Sequence, residues 1–160
     1  MKKLAAALLP VALLGLMTLS IAPAAWATAP TSGSGTLTPI SFTVTNFYTK
    51  DGNAFVTATE VDDLSGPLLG TWTTTDEKIV FHPNGLLNFQ ETDHFVGTVA
   101  GRSGTLDVQF VGTGNAATTF EGQFAILSGT GDLANLNGQG TMLGDSTTGA
   151  ATYMIQYHFG

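Results

Sequence analysis

The chain has 160 residues, enough for one ordinary domain, and twelve acidic residues against five basic ones give it a net charge of −7 at pH 7. Hydrophobic residues make up 43% of the chain, which excludes intrinsic disorder, and the absence of any Lys/Arg cluster argues against nucleic-acid binding. The lack of cysteine excludes disulfides, thiolate metal sites and cysteine nucleophiles.

The beginning of the chain has the pattern of a signal peptide. Lys2 and Lys3 precede an apolar run that ends in Ala-Trp-Ala at residues 25–27, the small-x-small pattern of a cleavage site. We expect residues 1–27 to be removed, an uncleaved membrane anchor being the alternative, and residues 28–35 to form a flexible leader. The mature chain, with three basic and twelve acidic residues, would then be exported to the periplasm or secreted, free of the membrane.

Residues 36–160 are predicted to form a single all-β domain, because apolar and polar residues alternate with a period of two. The predicted strands are a run around Phe42, residues 54–61, 68–81 and 86–99, runs around Val108 and Phe124, residues 139–143, and a run around Ile155. In the first run Ile40, Phe42 and Val44 should share a face. A helical turn is expected only within residues 132–137.

About eight strands at hairpin spacing, with no helices to cover a sheet, leave a β-sandwich or a closed antiparallel barrel. We predict the barrel, because closure removes exposed strand edges without disulfides. In the last strand four large side chains fall on one face and should close the core: Tyr153, Ile155, Tyr157 and Phe159.

Three segments carry a resemblance to a known family. Residues 94–105 contain the pattern F-x-G-T-x-x-G-R-S-G, residues 128–140 contain G-T-G-x-L-x-x-L-x-G-x-G, and residues 153–159 close the chain. Together they resemble a bacterial family of unknown function, which itself is similar to the allene oxide cyclase barrel superfamily. The resemblance implies an eight-stranded calycin-like barrel, a fold that does not by itself imply cyclase activity.

The candidate catalytic residues are Glu91 and Asp93, which share a strand face with Phe89 and Phe95. If this face points inward, two acids in a low-dielectric interior would not both ionise easily, and one could act as a general acid or base. The alternative is that both lie at the rim or outside, in solvent.

The predicted ligand-binding residues are seven aromatic side chains of the interior: Trp72, Phe89, Phe95, Phe110, Phe124, Tyr153 and Tyr157. Gly101, Arg102 and Gly104 are predicted to form a structural turn, in which the guanidinium group donates to carbonyl or carboxylate oxygens. No cofactor and no metal site are expected, because the three histidines are scattered and the Asp62-Asp63 pair offers too few ligands for calcium.

Two functional hypotheses follow. The first is a non-catalytic exported barrel, either a structural module or one that binds a small apolar molecule. The second is an isomerase or cyclase that confines an apolar substrate and moves a proton with Glu91 or Asp93. Oligomerisation is open in both.

Overall fold

The computed structural model describes residues 29–160, so the predicted signal peptide lies outside the described residues. The chain forms an antiparallel barrel in which each strand pairs with the next and the last pairs with the first, as predicted. The elements are β1 (Thr31–Lys50), β2 (Asn53–Ser65), β3 (Leu68–Phe81), β4 (Leu86–Val99), β5 (Arg102–Asn115), β6 (Thr119–Gly129), a 3₁₀ turn (Gly131–Leu133), β7 (Leu136–Asp145) and β8 (Ala151–Phe159). Within this range no helix is long and apolar enough to cross a membrane.

Strand β1 begins inside the stretch predicted to be a flexible leader, so that prediction is wrong for residues 31–35. Residues from Thr31 to Leu37 pair with β8 and thereby close the barrel. Without them β8 would present a row of unpaired backbone groups at its edge.

A β-bulge also changes the predicted face of the first run. The register of β1 against β2 shifts between Pro39 and Ser41, which leaves Ile40 without a cross-strand partner. Pro39 and Phe42 therefore both face the inside of the barrel mouth, whereas Ile40 is exposed.

Large aromatic side chains fill the middle of the barrel. The ring of Phe124 packs edge-to-face against Trp72 and Tyr153, with ring centroids 6.0 and 6.2 Å apart. The Tyr153 hydroxyl accepts a hydrogen bond from the backbone N–H of Leu68 at 3.0 Å and donates to the carbonyl of Ser65 at 2.8 Å. Gly140 leaves room for this packing, because a Cβ there would lie 2.3 Å from Phe124.

The two ends of the barrel differ. At one end the 3₁₀ turn, close to the predicted helical segment, buries Leu133 completely between β5 and β6. At the other end the β7–β8 turn borders an opening, and the hairpin of β1 and β2 extends past β8. The interior is therefore closed at one end and accessible at the other.

Candidate functional site

A cavity of about 350 Å³ lies at the open end of the barrel. We call it the mouth cavity. Its size lies near the lower limit of pockets that hold small organic ligands. The β7–β8 turn, residues 146–149, forms part of its border next to Phe42 of β1. Asp145 fixes this turn by accepting hydrogen bonds from the backbone N–H groups of Thr147 and Thr148 at 2.7 and 3.2 Å.

One side of the mouth cavity is apolar. Phe89 packs edge-to-face on both Phe110 and Phe120, at centroid distances of 5.0 and 5.6 Å. These rings come from β4, β5 and β6, so they form a continuous surface across three neighbouring strands. The remaining apolar lining residues are Leu37, Pro39, Phe42, Ile79, Phe81, Leu87 and Met142.

The adjoining side is built from carboxyl groups on β2, β3 and β4, which we call the acid wall. Its members are Glu60, Asp62, Glu77 and Glu91, all of which line the cavity, and Asp93, which lies behind them. All five side chains point into the barrel, and Asp62, Glu77 and Asp93 are 3%, 7% and 1% exposed.

A second β-bulge places Glu77 in this wall. The register of β3 against β4 shifts between Thr74 and Lys78. Thr74 and Glu77 are therefore both buried, although strict alternation would put them on opposite faces. The same shift explains why the inward residues of β3 change from even numbers, as in Trp72, to odd numbers, as in Ile79 and Phe81.

Burial is the main cause of the unusual ionisation of the acid wall. Loss of hydration, together with repulsion from neighbouring carboxylates, raises the pKa of Asp62 and of Glu77 to about 8. Desolvation raises the pKa of Glu60 to about 6 and holds that of Glu91 well above its ordinary value. At neutral pH the wall therefore retains much of its protonation.

Asp93 has the best-defined surroundings of the five acids. One carboxyl oxygen accepts a hydrogen bond from the Thr74 hydroxyl, and the indole N–H of Trp72 also donates to this carboxyl group. Desolvation raises the pKa of Asp93, these two hydrogen bonds offset part of that rise, and the resulting pKa is about 7. The other oxygen, Oδ2, is buried without a partner.

No positive side chain offsets the acid wall. Among the described residues no Lys, Arg or His lines the mouth cavity. The ion pairs in this part of the chain lie on the outer surface, Lys78 with Asp76 at 2.8 Å and His94 with Asp107 at 3.0 Å. The acid wall thus concentrates carboxyl groups, without a counter-ion in the described part of the chain, on the lining of an otherwise apolar cavity.

The structure brings together the two predicted catalytic residues. Glu91 lines the mouth cavity and Asp93 is buried beside it, so the alternative that both are solvated is wrong. The inward alternation of β4 continues without interruption from Leu87 to Phe95, so the two acids share the inner face with Phe89 and Phe95, an arrangement that the sequence left open.

Only part of the predicted aromatic lining contacts the mouth cavity. Phe89 and Phe110 do line it. The other five aromatics are buried in the packed core and do not line this cavity: Trp72, Phe95, Phe124, Tyr153 and Tyr157. Alternation identifies residues that point inward, but it does not show which of them leave space between them.

The predicted structural turn has a different composition. Ala100 and Gly101, with φ of 51° and 78°, form the two-residue connection between β4 and β5. Gly104 lies inside β5, where a Cβ would meet the Thr130 carbonyl at 2.1 Å. The Arg102 guanidinium group stacks on the ring of Phe159 at 3.9 Å rather than serving as a donor to a carboxylate.

Three members of the acid wall were missed from the sequence. Glu60 and Asp62 alternate with Ala58 and Leu64 on the inner face of β2, and Asp62 is not in a turn, because β2 continues to Ser65. The alternation Ala58, Glu60, Asp62, Leu64 was a usable signal for these two acids. Glu77 had no such signal, because its bulge depends on the pairing of β3 with both β2 and β4.

The fold and site define the protein as a small closed antiparallel β-barrel with an acid-lined cavity at its open end. Residues 41–157 match the model of a family described as protein of unknown function (DUF3224), and the chain belongs to this family. Its structure is similar to the crystal structure of a DUF3224 protein of unknown function from Shewanella oneidensis MR-1, with a TM-score of 0.69 and 18% identity. The match covers 82% of this chain and 98% of that one, and at this identity it supports the fold alone. No curated protein matches the chain.

Proposed function

We propose that the protein binds one small, largely apolar molecule in the mouth cavity. The observation that carries this proposal is the contrast between the two halves of the barrel. Around Trp72 and Leu133 the interior is filled by side chains, whereas about 350 Å³ stays open between the aromatic rings and the acid wall. A purely structural barrel would gain stability by filling that volume, since protein interiors are otherwise close-packed.

The composition of the lining supports an apolar body with one polar end. The rings of Phe89, Phe110 and Phe120 offer an aromatic surface to such a molecule. On the other side Glu60 and Glu91 present carboxyl oxygens to the cavity, which would bind a hydroxyl or amide group. We also propose that residues 1–27 direct export, so that the ligand is met outside the cytoplasm.

Native mass spectrometry of the purified protein tests for such a molecule. We expect the native spectrum to show one small organic molecule bound per chain. This molecule should be released when the protein is unfolded. We also expect saturable binding of the neutral naphthalene dye prodan, displaced by the molecule extracted from the protein. An empty barrel that also fails to bind prodan would contradict the proposal.

A pair of variants locates the binding site. Leu87 is 7% exposed and lines the mouth cavity, so Leu87→Trp should occupy it and weaken prodan binding by about tenfold or more. Leu69 is 59% exposed on the outside of β3, and Leu69→Trp should leave binding unchanged. If both variants lost prodan affinity equally, the dye would bind outside the mouth cavity.

A second candidate function is the isomerase or cyclase activity of the superfamily that the sequence resembles. The observation that favours it is the position of Glu91, whose carboxyl group lies in the lining between aromatic rings of β4 and β5. A confined molecule would contact both the rings and the acid. If this function is correct, Glu91→Gln should still bind the extracted molecule but no longer convert it, as followed by chromatography.

A further inference from the structure

We propose that Glu60, Glu77 and Glu91 bind a hard divalent cation, with calcium the best fit, on the acid-wall side of the mouth cavity. This inference is independent of the proposed organic ligand. Of the three residues, only Glu91 was a candidate in the sequence, where it was considered as a general acid or base.

The spacing of the three carboxyl groups suits a cation of this kind. One oxygen from each Glu lies within 4.8 Å of the corresponding oxygens of the other two. Calcium binds oxygen at about 2.3–2.6 Å, so oxygens on opposite sides of the ion are separated by about 4.6–5.2 Å. A limit of 4.8 Å is therefore within the reach of calcium. Calcium takes several protein carboxylates, whereas magnesium usually keeps several waters and binds one or two, so three carboxyl groups favour calcium.

The strand arrangement holds these ligands in place without a loop. Glu60, Glu77 and Glu91 come from β2, β3 and β4, which are consecutive hydrogen-bonded neighbours in the barrel. The bulge in β3 turns Glu77 toward the other two. Ligands on paired strands are more rigid than ligands on a loop, which lowers the entropy cost of binding.

Unpartnered oxygens around the acid wall point independently to a missing ligand. The Glu77 side chain is 7% exposed, and its Oε2 atom is buried without a hydrogen-bond partner. Asp62 is 3% exposed, and its Oδ1 atom is also buried without a hydrogen-bond partner. The same holds for the hydroxyl oxygen of Ser146 in the β7–β8 turn. All three residues line the mouth cavity. Since an unsatisfied buried acceptor is costly, these oxygens favour a bound ligand on this side of the cavity, and Glu77 is itself one of the three proposed ligands.

The donor set decides the class of metal. The chain contains no cysteine, and no histidine lines the cavity in the part of the chain that the structure describes. Carboxylate and hydroxyl oxygens select hard ions such as calcium and magnesium over copper or zinc. Of the described Lys and Arg side chains, none lies in the lining to compete as counter-ion.

Calorimetry on the protein stripped with chelator tests the site, with calcium chloride alone as the titrant at neutral pH. We expect one calcium ion per chain, weaker binding of magnesium, and a calcium-dependent rise in Tm. Terbium should bind in its place and show luminescence excited through Trp72, whose indole N–H donates to Asp93 behind the wall. No heat and no Tm rise up to about 10 mM calcium, above the weakest constants of calcium modules, would overturn the proposal.

A matched pair of variants on β3 distinguishes calcium binding by Glu77 from a general effect of the protein's negative charge on calcium affinity. Glu77→Gln should lower calcium affinity by about tenfold or more, because it removes a ligand charge. Asp76→Asn removes the same charge from the exposed neighbour that pairs with Lys78, and affinity should stay unchanged. If Glu77→Gln does not fold, Glu60→Gln replaces it, since Glu60 is only half-buried. Equal loss in the ligand variant and in Asp76→Asn would refute the assignment.

Discussion

Asp93→Asn should stabilise the protein at alkaline pH and have little effect near pH 4. The replacement keeps the size of the side chain and an oxygen that can accept from Thr74 and Trp72. It removes the ionisable proton and places an NH₂ group where the unpartnered Oδ2 atom now lies. That group can donate to a neighbouring carboxyl oxygen of the acid wall.

The magnitude follows from the difference between the folded and unfolded pKa values. The folded pKa of Asp93 is about 7, against an ordinary value of 3.8 for an aspartate side chain in water. Between these values the unfolded chain is ionised while the folded chain keeps its proton, so wild-type stability falls as pH rises from about 4 to about 7. The full difference corresponds to about 4 kcal/mol. Because Glu91 and the other acids share the repulsion, we expect the variant to recover about 1–3 kcal/mol of this.

Urea unfolding at pH 4.5 and pH 8 measures the effect, with chelator present so that no cation neutralises the acid wall. The free energy of unfolding should differ between variant and wild type mainly at pH 8. Asp76→Asn is the control, because Asp76 is exposed and its pair with Lys78 should contribute no more than about 0.5 kcal/mol. A variant less stable than wild type at pH 8, or a difference that does not depend on pH, would refute this account of Asp93.

Two further predictions concern packing and are checked by the same unfolding measurement. Leu133→Ala should cost about 3–5 kcal/mol, because Leu133 is 0% exposed and closes one end of the barrel; a loss below about 1 kcal/mol would mean that end is not packed. Gly140→Ala should cost about 1–3 kcal/mol, since the new Cβ would lie 2.2 Å from the Met154 carbonyl oxygen and 2.3 Å from Phe124. An unchanged midpoint for Gly140→Ala would show that Phe124 does not cover that position.

Most of the barrel could be predicted from the sequence because its strands bury one face. Along β8 and the middle of β5 the inward residues are apolar, and along β4 apolar residues flank Glu91 and Asp93 on the inner face; the inward residues Phe95, Val108 and Ile155 are 0%, 1% and 1% exposed. Closure was inferred from the need to protect strand edges, and the pairing of β1 with β8 meets that need. The start of β1 was missed because its Thr, Ser and Gly residues have the composition of a linker, and only the partner strand makes them regular.

The acid wall could be predicted only in part, and the reason is the way its strands meet. Glu91 and Asp93 lie on a strand whose alternation is continuous, so their face follows from the aromatic residues beside them. Glu77 lies after a shift in register that exists only when β3 pairs with its neighbours β2 and β4, and no local rule supplies its position. Acidic residues also normally indicate the solvent side of a strand. Alternation therefore identifies buried acids only when the same strand carries enough apolar residues to fix its inner face. Predicting a site that is assembled from three strands therefore requires knowing the register in which all three strands pair.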